Sequence, residues 1–218
     1  MIRLFLVLLV SWIVIASCTE QKKVRVLPIV GNYDVEYDTI DGKELTDTIY
    51  PKIPYFAYVN QDSIKITSSS MKGKVWIADF FFTSCPSICP KMTSQMKRLS
   101  ILTKDLEKHI QFISFSINPS YDGPSKLRAY RKHYGITAKN WEFLTGDEEA
   151  THALGVDYFQ VFANKDIESA GGYAHSPAFV LVDKEGYVRG VYIGTDTKQV
   201  NFLQKDVRKL LAYEYNTK

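Results

Sequence analysis

Cys85 and Cys89 stand four residues apart in the run Phe80-Phe81-Phe82-Thr83-Ser84-Cys85-Pro86-Ser87-Ile88-Cys89-Pro90-Lys91-Met92. An apolar, aromatic stretch arrives there as a buried strand would, ends in two small polar residues and then delivers two thiols. The residues after Pro90 read as a helix. A helix N-terminus offers unpaired amides and the positive end of a dipole, and both favour thiolate over thiol. Thiolate is the form that attacks disulfides and the form that holds soft metals. Proline inside a helix removes a main-chain hydrogen bond. The spacing therefore predicts an irregular turn over Pro86–Ile88 and regular helix from about Pro90, where proline suits the first helical position. With either start the two thiols lie about one turn apart on one side. A plain disulfide staple is the alternative, but a short, proline-flanked loop at a helix start suits reactive chemistry better.

The surrounding pattern predicts the elements that must position this turn. Val75–Phe82 reads as a central strand, apolar except for Asp79. Met92–Lys108 reads as a helix, with Met92, Met96, Leu99, Leu102 and Leu106 at helical spacing. Gln111–Ile117 is a second strand, Pro124–Tyr134 a second helix opened by Asp122-Gly123-Pro124, Trp141–Leu144 a short strand and Asp147–Leu154 a short helix. Tyr158–Phe162 is expected to be a further strand, followed by a loop at Ala170-Gly171-Gly172. Ala178–Val182 and Tyr187–Ile193 form a hairpin over Asp183-Lys184-Glu185-Gly186, and Lys198–Tyr213 closes the chain as a helix. Upstream, Gly31–Ile40 and Pro54–Thr67 read as strands or hairpins added before the main fold. Strand, helix, strand, helix, then hairpin and helix predicts an α/β fold: a central mixed sheet with helices on both faces, a β extension at the N-terminus and an inserted hairpin or loop before the last strand pair.

Met1–Ser17 carries one early cation, Arg3, and then the apolar run Leu4–Ile15, which is short for a membrane span and suits a signal-peptide core. Ile15-Ala16-Ser17-Cys18 resembles a bacterial lipobox, in which Cys18 would carry lipid and begin the mature chain. An ordinary anchor helix is the alternative, and either reading puts the domain outside the cytoplasm on a membrane. The expected division is a lipoprotein signal peptide at 1–17, a tether and extension at 18–50, and one domain at 51–218. Three cysteines are odd for an exported protein; lipid on Cys18 would leave one pair. Removing Met1–Ser17 takes Arg3 with it and lowers the net charge from +3 to +2. So balanced a charge gives no reason to expect a nucleic-acid partner.

The element order, with a dithiol at the first strand-to-helix turn and Asp79 six residues before Cys85, resembles the thioredoxin fold, which carries a buried acid at that place. The spacing Cys-x-x-x-Cys departs from the thioredoxin Cys-x-x-Cys. Together with Ser116-Ile117-Asn118-Pro119, Asp122-Gly123-Pro124, Ala174-His175-Ser176 and Leu181-Val182-Asp183, the chain resembles the Sco/SenC family from about Tyr55 to its end. That family consists of copper-binding proteins that help assemble the binuclear copper centre of cytochrome c oxidase. The resemblance implies copper as Cu(I) or Cu(II), with Cys85, Cys89 and His175 as its ligands and Cys85–Cys89 as the redox disulfide. It also implies a copper-accepting oxidase subunit, or another copper protein, as partner. Two thiolates and an imidazole suit copper, and three ligands are one short of a closed structural zinc site. Pro177 is expected to take the part of the cis-proline that packs beside a thioredoxin dithiol. The chain departs from the family at Ser87 and Asn118, where an acid is expected.

Asp79 reads either as a proton acceptor for Cys89 with a raised pKa or as a hydrogen-bonded buried acid. Met92 and Met96 read as core rather than as thioether ligands. His109 and His152 fit helix surfaces, and His133 fits a helix C-terminus. Three functions compete. A metallochaperone binds and delivers copper; a thiol–disulfide oxidoreductase keeps a copper-receiving partner reduced; a thiol peroxidase shares the fold. His175 separates the first from the second. The third needs an Arg beside Thr83, and none lies in the loop.

Overall fold

The computed structural model describes residues 25–40, 43–166, 168–169 and 171–217. The expected signal segment and Cys18 lie outside the described residues. Two strands, β1 (Asp34–Ile40) and β2 (Lys43–Ile49), form an antiparallel hairpin of their own. Then follow β3 (Ala57–Asn60), β4 (Lys65–Thr67), β5 (Val75–Phe81), α1 (Ile88–Leu102), β6 (Ile110–Ser116), α2 (Pro124–His133), β7 (Trp141–Thr145) and α3 (Glu148–Ala153). The chain continues through β8 (Ala163–Lys165), β9 (Tyr173–His175), β10 (Ala178–Val182), β11 (Val188–Ile193) and α4 (Thr197–Lys209).

The main sheet runs β11-β10-β5-β6-β7-β3-β4, with β5, β6 and β7 parallel and the others antiparallel to their neighbours. Every residue of β5 and of β6 is buried, because parallel central strands are covered on both faces and so read as continuous apolar runs. On one face the Phe81 ring meets Tyr130 of α2 at 5.3 Å, and Tyr130 OH lies 2.7 Å from Thr93 Oγ1 of α1. Helix α4 joins that layer through Gln95 to Thr197 at 2.8 Å and Arg98 to Asn201 at 2.9 Å. On the other face Trp76 and Phe80 pack against Phe159, just after α3, at 5.6 and 5.4 Å. The mixed sheet with helices on both faces is the thioredoxin-like arrangement that the element order predicts.

Several boundaries differ from expectation. Helix α1 begins at Ile88, so Pro90 is its third residue; an amide there has no intrahelical acceptor, and proline loses nothing. The helix stops at Leu102 rather than Lys108. The Thr103 hydroxyl donates back to the Leu99 carbonyl at 2.9 Å, offering the backbone an alternative to a further turn, and Leu102 is 41% exposed instead of core. Tyr158–Phe162 is not a strand. Leu154–Tyr158 prolongs α3 as a wide turn, and Phe159 drops into the core between Trp76, Phe80 and Phe115; aromatic β propensity yields to packing. The segment Pro54–Thr67 is no appendage, since β3 extends the main sheet beside β7. The Gln61 side-chain oxygen accepts the Phe143 N–H at 2.9 Å there.

At the end of the sheet where β11 starts, Arg189 forms a buried hub. It donates to Asp183 at 2.9 Å, to Glu214 at 2.6 and 2.9 Å, to the Pro28 carbonyl at 3.0 Å and to the Leu27 carbonyl. Glu214 also accepts the Val26 N–H at 2.7 Å. One arginine thus joins the first described residues to the final hairpin and the C-terminal turn.

Candidate metal centre

The dithiol turn hangs from the end of β5. Phe82 is buried, and the Cys85 N–H closes a turn onto the Phe82 carbonyl at 3.2 Å. Helix α1 follows at once, with Cys89 as its second residue. Ser87 occupies the N-cap position without capping through its side chain; its Oγ lies 3.8 Å from the Cys85 sulfur.

Both cysteines are free thiols and buried, Cys85 at 8% exposure and Cys89 at 1%. Their closeness splits their acidities. The neighbouring Cys89 holds the Cys85 thiol below its ordinary value, against the cost of burial. Cys89 is pushed up, first by the neighbouring Cys85 and then by burial.

His175 reaches this pair from β9, which pairs only with β8 among the described residues, Ala163 opposite His175. Its Nε2 lies 3.0 Å from the Cys89 sulfur. Its Nδ1 lies 3.2 Å from the Ser176 carbonyl. A carbonyl only accepts, so Nδ1 carries the proton and the Nε2 lone pair faces the sulfurs, as a metal-binding imidazole requires. The Phe82 ring sits edge-on to His175 at 5.9 Å and tilted against Tyr173 at 5.5 Å. Gly171, at φ +90°, lets the chain pass this ring: a Cβ there would stand 2.6 Å from it. The two sulfurs and one imidazole nitrogen lie within 4.8 Å of one another. Two soft thiolate donors and one free imidazole nitrogen fit a copper ion by donor chemistry.

Asp79 lies under the site on β5 at 2% exposure. Burial pushes its carboxyl up to about 7, although the Ser114 hydroxyl, donating at 2.6 Å, and the neighbouring His175 oppose the shift. Trp141 Nε1 donates to the same Ser114 at 2.9 Å. Asp79 is thus buried, hydrogen-bonded to Ser114 and raised in pKa. Met92 and Met96 are fully buried in the core. Pro177 directly precedes β10, two residues after His175, and there is no cis peptide bond among the described residues. His152 is half-buried rather than a free surface group, its Nε2 donating to the Ile117 carbonyl at 2.9 Å. The Thr83 hydroxyl is engaged with Asp122. Asp122 was legible in sequence only as part of a helix opening. A helix preceded by Gly-Pro needs no acid two residues ahead, and that surplus carboxylate was the available signal.

A dithiol at the first strand-to-helix turn of a thioredoxin-like domain, faced by an imidazole from the segment before the last hairpin, defines a class of thiol and metal proteins. The SCO1/SenC family model matches residues 47–212, and the chain belongs to that family. A SCO1/SenC family lipoprotein from Bacillus anthracis str. Ames is 33% identical, with TM-score 0.68, over 73% of this chain and 94% of that one. BsSco, described as a member of the Sco family of cytochrome c oxidase assembly proteins and as having a disulfide switch, is 32% identical. Its TM-score is 0.65, over 72% of this chain and 91% of that one. A protein of Stutzerimonas stutzeri named for copper binding is 31% identical, over 63% of this chain and 67% of its own length.

Proposed function

We propose that this protein is an extracytoplasmic copper chaperone. It takes up copper through Cys85, Cys89 and His175 and delivers it to the copper-accepting subunit of cytochrome c oxidase or to another copper protein. A lipid on Cys18 tethers it to the membrane. The carrying observation is the convergence of the two sulfurs and His175 Nε2 within 4.8 Å. A dithiol reductase has no need of an imidazole whose free nitrogen faces the sulfurs. The copper-binding relative and the oxidase-assembly relative support the cargo and the destination, and the Bacillus anthracis lipoprotein supports the anchor. Among the described residues no helix is long and apolar enough to cross a membrane.

The deciding experiment is a copper titration of the reduced protein, wild type against His175→Ala, read in the thiolate-to-copper charge-transfer region. Loss of most Cu(II) affinity in the variant supports the three-ligand site. Identical binding would move the protein to the second reading, a thiol–disulfide oxidoreductase acting on the acceptor's cysteines. The closeness of two free, buried thiols favours that second activity, because an adjacent dithiol is the reduced form of an exchange couple. Metal binding and disulfide formation compete for the same sulfurs, so the two activities alternate on one site.

A further inference from the structure

Residues 117–123, between β6 and α2, touch both halves of the candidate site. Asp122, fully buried, accepts the Thr83 N–H at 2.9 Å, the Thr83 hydroxyl, and the Ser116 hydroxyl at 2.7 Å. Thr83 is the second residue of the turn that Cys85 closes onto Phe82. On the other side the hydroxyl of Tyr173, two residues ahead of His175 on β9, lies 3.2 Å from both the Asn118 side-chain oxygen and the Glu148 carboxylate of α3. The loop also holds its own shape. The Tyr121 and Asp122 amides donate to the Asn118 carbonyl at 3.1 and 2.9 Å, and the Asn118 amide donates to Ser116 Oγ at 3.2 Å.

We propose that this loop is a bracket that sets the spacing between the sulfur-bearing turn and the histidine-bearing strand. Asp122 is the positioning residue for the Cys85 sulfur, acting through Thr83, and Asn118, with Glu148 as the second acceptor of the same hydroxyl, positions His175 through Tyr173. The inference rests on the reading of Cys85, Cys89 and His175 as ligands. A turn closed by one neutral hydrogen bond gains little net stability from it. Hydrogen bonds to a carboxylate are shorter and roughly twice as strong, and two of them on one residue fix both its backbone and its side chain. Neither ligand-bearing segment is rigid by itself, since one is a turn and the other belongs to a two-stranded sheet apart from the main one. Sites keep their geometry when such segments are locked by outer hydrogen bonds.

The test uses the full chain in detergent, as wild type, Thr83→Val, Thr83→Ser and Tyr173→Phe. Three properties are read: the melting temperature, the alkylation rate of Cys85 by iodoacetamide in the reduced metal-free protein, resolved by mass spectrometry, and the Cu(II) charge-transfer band and affinity. Thr83→Val removes one hydrogen bond and keeps the shape. It should lower Cu(II) affinity about tenfold or more and change the Cys85 alkylation rate, while Thr83→Ser restores both to within about twofold. Tyr173→Phe should alter the Cu(II) band and affinity and leave Cys85 alkylation unchanged, a separation that general loosening of the fold would not produce. Wild-type alkylation and Cu(II) band in Thr83→Val, or Thr83→Ser behaving like Thr83→Val, would overturn the bracket. If the wild type forms no Cu(II) band, the metal reading fails, and the metal-free alkylation rates still decide whether Asp122 positions Cys85.

Discussion

His175 Nε2 and the Cys89 sulfur lie 3.0 Å apart, although 86 residues separate them in the chain. The contact is a consequence of strand order. Strand β10 lies antiparallel to β5, so the residues just before β10 meet those just after β5.

Softness makes the thiolates the main anchors for Cu(I), while imidazole matters more for Cu(II). Cys85→Ser and Cys89→Ser should each abolish stable binding of both states. His175→Ala should retain measurable Cu(I) binding and lose roughly tenfold or more in Cu(II) affinity. Competition titrations with a Cu(I) chelator and Cu(II) absorption together check this split.

The oxidised protein should hold one disulfide, Cys85–Cys89, since these free thiols lie within 4.8 Å of one another. Copper should bind only after that bond is reduced. Thiol counting and peptide mapping before and after reduction, followed by copper titration, provide the check. Tight stoichiometric copper binding to the oxidised form would contradict the shared-sulfur model.

The carboxyl of Asp79 is raised from 3.8 to about 7 by burial. Below pH 4 folded and unfolded chains both hold this proton. Between pH 4 and 7 the folded protein keeps it while the unfolded chain releases it, so this contribution to stability is lost as pH rises. Relative to Asp79→Asn, the wild type should lose up to about 1.4 kcal/mol of stability per pH unit across that window. Urea denaturation of both proteins from pH 4 to 8 measures the difference. Parallel pH profiles would show that Asp79 titrates normally.

Arg189→Met should destabilise the protein by about 3–5 kcal/mol, because it leaves the carboxylates of Asp183 and Glu214 buried without their cation. It should also release the segment around Val26–Pro28, which Arg189 and Glu214 hold. Urea midpoints give the first effect and amide exchange at Val26 and Val30 the second. A variant with wild-type stability would remove the hub from the account of the fold.

Lipid on Cys18 predicts a mature chain that begins there. Intact-mass and peptide mass spectrometry of membrane-extracted protein should find diacylglycerol on Cys18, and Cys18→Ser should prevent the modification. An uncleaved, unmodified N-terminus recovered from the native host would rule out the anchor.

Much of this protein is written in short-range pattern. Apolar runs such as Val75–Phe81 and Ile110–Ser116 declare buried parallel strands because every residue of such a strand faces a covered layer. The reactive turn is legible for a similar reason: two thiols, two prolines and a strand-to-helix junction are neighbours in sequence as well as in space. Where local preference and packing compete, the pattern misleads, as at Tyr158–Phe162, whose aromatic content suggests a strand until Phe159 is needed in the core. Its Gly-flanked, strand-edge setting distinguishes His175 from the other histidines, but only the family resemblance joins it to the thiols, because no local rule links it to residues 86 positions away. The hold of Asp122 on Thr83 and of Arg189 on two distant carboxylates belongs to the same class of fact. Hydrogen bonds and ion pairs act over about 3 Å, and only the strand order of the folded sheet decides which remote residues come within that reach.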